Sequence, residues 1–125
     1  MTKIKFTLGL LLLSIFSISI SSCKNDIDLS TAPTISFKDD IQAIISGNCA
    51  MNGCHGTDKD SDFPLTTYNE VMNEGGVKAG DAKGSKFYQV LLINFGEKKM
   101  PPKGPLTDKQ IKKVFIWIEQ GALNN

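Results

Sequence analysis

Cys49-Ala50-Met51-Asn52-Gly53-Cys54-His55 is the stretch on which the reading of this chain turns. Two thiols flank a spacer of four residues, and the only histidine of the sequence follows the second thiol at once. On an ideal helix, residues three apart share a face, but residues five apart differ by about 140° around the axis. A plain helix would therefore turn these two side chains away from each other. The turn-forming pair Asn52-Gly53 is able to bulge the spacer and return Cys54 toward Cys49. Thiols that can add to the two vinyl groups of a haem, beside an imidazole that can ligate its iron, follow the logic of covalent haem attachment. The usual spacing for that chemistry has two residues between the cysteines.

Three other uses of these residues compete. A disulfide between Cys49 and Cys54 is geometrically feasible and normal in an exported protein, but it leaves the adjacent imidazole unexplained. A zinc site needs four protein ligands, or three and a water, and the motif offers two thiols and one imidazole. A reactive dithiol of the thioredoxin kind calls for a two-residue spacer in a βαβ context, and neither is present.

An iron bound through His55 needs a ligand on its other face, and Met100 is the candidate. It lies in Lys98-Lys99-Met100-Pro101-Pro102, a polar stretch with three prolines between 101 and 105 that forbids regular helix. A methionine is ordinarily core filler; in so polar and irregular a setting that role is improbable, and a thioether on a stiff loop suits ligation that raises the reduction potential. Met51, inside the attachment loop, and Met72, in a predicted helix, are weaker candidates.

Working outward to the N-terminus, Lys3 and Lys5 precede an apolar run from Phe6 to Ile20. The run is short for a membrane span and suits the apolar core of a secretory signal, so residues 1–22 are set apart from the fold. Ile20-Ser21-Ser22-Cys23 resembles a bacterial lipoprotein cleavage box, which implies that Cys23 becomes the lipidated first residue of the mature chain. Several acyl chains on one residue give stable membrane attachment. The alternative is a plain signal peptide that leaves Cys23 as a spare thiol. Lys24 is not the aspartate that retains some lipoproteins at the inner membrane, so the resemblance favours the periplasmic side of the outer membrane or the cell surface. Residues 23–34 are polar, contain Pro33 and are expected to act as a flexible tether.

Residues 35–125 are expected to form one domain, mostly helical and rich in loops. Ser36 suits an N-cap, and Phe37, Ile41, Ile44 and Ile45 make one apolar helical stripe that stops at Gly47-Asn48. A short helix is expected over 68–74, closed by Gly75-Gly76, and over 86–93 behind Ser85 a further helix, although so short an apolar run could equally be a strand. The C-terminal helix is marked by the capping box of Thr107 and Gln110, the stripe Ile111, Val114, Phe115 and Ile118, and Gly121 at its end. Phe63 and Leu65 are expected to anchor the loop between the first two helices. The 125 residues carry 14 basic and 13 acidic side chains, with no arginine among the basic ones. Without a basic cluster or a guanidinium fork, nucleic-acid binding is not expected.

Cys49 to His55 after a short amphipathic helix, then Leu65-Thr66-Thr67-Tyr68, Gly80-Asp81 leading to Ser85, Lys99-Met100-Pro101-Pro102 and a last helix with Trp117-Ile118 and Gly121-Ala122, resembles a small c-type cytochrome domain. It is similar to those with a four-residue spacer in exported bacterial lipoproteins. The resemblance covers essentially residues 35–125. It implies an all-α, cytochrome c-like fold of three to four short helices and long loops around one covalent haem. Cys49 and Cys54 would form the thioethers, His55 and Met100 would ligate the iron, and the first helix would cross the last. Leu65, Tyr68, Phe87 and Leu91 would wall the pocket, and Trp117 would pack at the crossing or reach a haem propionate. With no arginine, the propionates would depend on lysines, backbone amides or water. The implied role is electron transfer to redox proteins in transient contact, not enzyme catalysis. Its rivals are a haem sensor or peroxidase-like enzyme in which Met100 dissociates, and a haem-free module stapled by a disulfide.

Overall fold

The hydroxyl of Ser36 starts the first helix as its position predicts, accepting the Asp39 N–H at 3.2 Å, while the Asp40 carboxylate accepts the Ser36 N–H at 3.1 Å. These contacts belong to a computed structural model that describes residues 27–92 and 98–125. The signal segment 1–22, Cys23 and the start of the tether lie outside the described residues. The first turns are wider than an α-helix: Phe37–Ile41 is π-helical and runs directly into α1, Gln42–Asn48. The helix ends at Asn48, as Gly47-Asn48 predicts, and Cys49 caps it by donating its N–H to the Ile45 carbonyl at 2.7 Å. The motif thus begins on the last turn of a helix.

Helix α2 spans Tyr68–Asn73 and opens with a full capping box of Thr67 and Glu70. Helix α3, Lys86–Gln89, is shorter than the predicted run to residue 93. After it the chain tightens, with Leu91 N–H bonded to the Tyr88 carbonyl and Leu92 N–H to that of Gln89, both at 3.1 Å. Bonds reaching back three residues mark a narrowing last turn. Ser85 precedes this helix but its hydroxyl does not cap it. That hydroxyl is buried and donates to the Asp81 carbonyl at 2.8 Å, while accepting the Lys78 N–H at 2.8 Å. Helix α4, Asp108–Glu119, has the predicted capping box of Thr107 and Gln110, and Gly121 leaves it with φ +100°. The described residues contain four α-helices and no strand. None of these helices is long and apolar enough to cross a membrane.

The first helix packs on the last. Phe37, Ile41, Ile44 and Ile45 join Val114, Ile116, Trp117 and Ile118 in one buried cluster, with Ile41, Val114, Trp117 and Ile118 fully enclosed. Asp40 and Lys113 form an ion pair across the junction. The apolar arc of α4 is wider than the predicted stripe. Ile116 and Trp117 are buried as well, while Phe115 is half-buried against the ring of Tyr88 from α3, 5.4 Å between centroids. Two neighbours, one on each side, enlarge the face that α4 withdraws from water. The indole N–H of Trp117 donates to the Leu123 carbonyl at 3.0 Å, so Trp117 is a packing residue of the crossing.

Residues 27–34 lie partly along the domain. Ile27 and Ala32 pack against the core, and Gln120 accepts the Ile35 N–H at 3.0 Å while donating to the Pro33 carbonyl at 2.9 Å.

Candidate functional site

Beyond α1 the chain folds back on itself within seven residues. The Cys49 carbonyl accepts the N–H of Met51 at 2.9 Å and that of His55 at 3.1 Å, and the Met51 carbonyl accepts those of Cys54 and Gly56, both at 3.0 Å. The spacer is therefore a bulged loop, as the helical geometry requires, and it returns the His55 backbone to that of Cys49. Gly53 sits at its apex with φ +74°, the left-handed region that favours glycine. A Cβ on Gly56 would come within 3.0 Å of the Met51 carbonyl, which explains the small residue after the histidine.

The loop after the motif fixes the imidazole. Leu65 N–H donates to the His55 carbonyl at 2.9 Å and Asp62 N–H to that of Cys54 at 3.2 Å, which brings Phe63 alongside. His55 Nδ1 lies 2.9 Å from the Phe63 carbonyl oxygen, and the two rings touch at 4.4 Å between centroids, tilted by 43°. A carbonyl oxygen only accepts, so Nδ1 is the donor in this contact, and the Nε2 edge is left for another partner. A metal-binding imidazole ordinarily has its second nitrogen committed in this way.

Cys49, His55 and Met100 line one cleft. Its cavity volume is about 280 Å³, within about 900 Å³ of protein-free space that includes the open mouth. Phe63, Leu65, Phe87, Val90 and Leu91 supply apolar walls, Lys86 and Lys98 the cations, and Asp62 and Glu74 the carboxylates. Met100 is brought here by its backbone N–H, which donates to the Val90 carbonyl at 2.7 Å. Three of the four predicted pocket walls, Leu65, Phe87 and Leu91, are in place. Tyr68 is not: it packs edge-on against Phe37 at 5.1 Å and donates its hydroxyl to the Ala122 carbonyl at 2.8 Å. Being amphipathic, it serves the core where a carbonyl is there to receive its hydroxyl.

No known family, curated protein or solved structure matches this chain.

The donor set therefore stands on its own chemistry. Among the described residues no group of three or more His, Cys, Asp or Glu side chains is placed to hold a bare metal ion. A macrocycle brings four nitrogens of its own and asks the protein for axial ligands only; one imidazole and one thioether on an apolar cleft fit that demand. The two thiols differ. Cys49 is buried and Cys54 exposed, neither in a disulfide, and Cys54 is not part of the cleft lining. Burial, and secondarily the nearby Cys54, push the Cys49 thiol up from 9.0 to about 11.

Two contributors to the site were not anticipated from sequence. The Phe63 carbonyl has no side-chain signature at all. Asp58 accepts the Gly53 N–H with both carboxylate oxygens, at 3.1 and 3.2 Å, and the Asp60 N–H at 3.0 Å and the Ser61 hydroxyl at 2.7 Å. The Ser61 hydroxyl first, then the Gly53 and Asp60 N–H groups, hold its carboxyl below the ordinary value. An aspartate followed three residues later by serine is the legible cue for such a local clamp.

Proposed function

We propose that this chain is a one-electron carrier with one covalently attached c-type haem, exported and held at a membrane by lipid on Cys23. The observation that carries the reading is that His55, with Nδ1 committed to a carbonyl, shares an apolar cleft with Met100 and with Cys49. A haem bound there supplies an iron that takes up and releases one electron between its ferrous and ferric states. Cys49 and Cys54 would hold the macrocycle through thioethers, and His55 and Met100 would ligate its iron. With both ligands supplied by the protein, the iron would offer no position to a substrate, which favours a carrier over an enzyme. The apolar walls exclude water from the ligand, and among the described residues Lys86 and Lys98 are the cations on the cleft lining, able to meet its propionates. Redox proteins are met in brief contacts of small area, and the lipid keeps the domain near membrane-bound ones.

Mass spectrometry of the full chain, produced in a cell with haem-attachment machinery, is the test. The expected protein is red and heavier by one haem. Met100→Ala is expected to abolish the sulfur-to-iron absorption band and lower the reduction potential, because a thioether ligand raises it. A colourless protein lighter by two hydrogens, with Cys49 and Cys54 joined, would replace this reading by a disulfide-stapled module.

A further inference from the structure

The four-residue spacer has more backbone to fix than a two-residue one. Two carbonyls, those of Cys49 and Met51, fix the N–H groups of Met51, Cys54, His55 and Gly56. At the apex, however, the Gly53 N–H has no backbone acceptor, and the flanking side chains Met51, Asn52 and Cys54 are exposed. Asp58 takes that N–H with both oxygens and is itself held by the Ser61 hydroxyl and the Asp60 N–H. Asp60 lies two residues further on, and its carboxylate takes no hydrogen bond among the described residues. The apex is thus tied to a fixed charge just beyond the histidine, by bonds of the stronger, charge-assisted kind.

We propose that Asp58 is the positioning residue that adapts the four-residue spacer to double attachment, holding the loop through Gly53 so that Cys54 meets the same ligand as Cys49. This inference rests on the haem reading. In attachment each thiol adds its sulfur to one vinyl carbon and its hydrogen to the other. C–S and C–H bonds form, S–H and C=C π bonds break, and nothing is oxidised or reduced. The addition needs each sulfur held at one vinyl group, so a slack loop penalises the exposed, later thiol and spares the buried one on the end of α1.

The native chain and the variants D58A, D58N, S61A and D60A, produced with attachment machinery, are alkylated and digested. The readout is the fraction of haem-bearing chains in which Cys54 is alkylated and Cys49 is not. D58A is expected to raise that fraction about tenfold, the effect of losing one charge-assisted hydrogen bond. The haemochrome band of D58A moves to longer wavelength, because one vinyl group remains unreacted. D58N keeps an acceptor oxygen and recovers most of the double attachment. S61A removes only the hydroxyl that steadies Asp58 and moves the same way by less, and D60A behaves as the native chain. Full double attachment in D58A and S61A overturns the proposal. So does loss at Cys49 and Cys54 alike in both variants, which marks a general folding defect. A native chain without haem removes the haem reading, and this inference with it; a red native chain with an indifferent D58A removes this inference alone.

Discussion

At the scale of single residues, the two motif thiols are made unlike by their surroundings. Cys49 closes α1 inside the core, and Cys54 stands in solvent on a loop. With its thiol pushed up to about 11, Cys49 is almost wholly protonated near neutrality. In the haem-free chain, iodoacetamide at pH 8 is expected to label Cys54 well before Cys49, as peptide mass spectrometry will read, since the thiolate is the nucleophile. Equal rates would show that Cys49 is open to water. The same burial makes stability depend on pH. In the unfolded chain the thiol titrates near 9.0, in the folded one near 11, so between these values the unfolded state has lost a proton that the folded state keeps. The contribution of Cys49 to the stability of the haem-free chain is therefore constant below about pH 9 and falls as pH rises toward 11, by about 2–3 kcal/mol at most for a shift of this size. Urea titrations at pH 8 and pH 10.5 check the sign, and Cys49→Ser should remove most of the slope.

Among the elements, α4 buries Val114, Ile116, Trp117 and Ile118, and a capping box fixes its first turn. Thr107 accepts the Gln110 N–H at 3.3 Å while Gln110 accepts the Thr107 N–H at 2.9 Å. Thr107→Ala is expected to cost about 1 kcal/mol by urea denaturation, the usual cost of a lost N-cap. The Asp40–Lys113 pair joins the same two helices but is partly solvated, with side chains 25% and 37% exposed. Lys113→Ala should cost less than about 1 kcal/mol. A reversed order, with Lys113→Ala the more damaging, would mean that the ion pair and not the apolar seam holds the crossing. These caps and stripes are local, which is why they could be recognised from the sequence. The extent of α3 could not be, because the narrowing of the chain at Leu91 and Leu92 that ends it has no mark in the local sequence.

For the molecule as a whole, the segment after α4 fastens the core from outside. Asn125 receives the Phe37 N–H on its side chain at 3.0 Å and the Ser36 hydroxyl on its carbonyl at 2.7 Å, while Tyr68 and Trp117 reach the carbonyls of Ala122 and Leu123. The core formed by the first helix and α4 continues into Leu65, Phe87 and Leu91, which belong to the same buried cluster and also line the cleft. On the proposed function, a haem covers those walls. The haem-loaded protein is then expected to melt above the haem-free chain, by roughly 4–8 °C for each kcal/mol that the contacts contribute. Calorimetry of the native chain and of a Cys49→Ala, Cys54→Ala double variant made without haem checks this; coincident midpoints would count against a ligand in the cleft.

Apolar residues at helical spacing, hydroxyl caps and glycine stops are short-range signals, and from them the sequence by itself determined an all-helical chain with a bulged motif at the end of its first helix. What only the tertiary structure decided is which parts meet. Met100 reaches the cleft of His55 through a bond from its backbone to the Val90 carbonyl, and the imidazole is oriented by the Phe63 carbonyl. Trp117 and Tyr68 turn to carbonyls past the end of α4, away from the cleft. Every residue carries the same carbonyl, so a partner of this kind leaves no mark in the sequence; it becomes visible only when folding brings distant backbone within hydrogen-bonding reach.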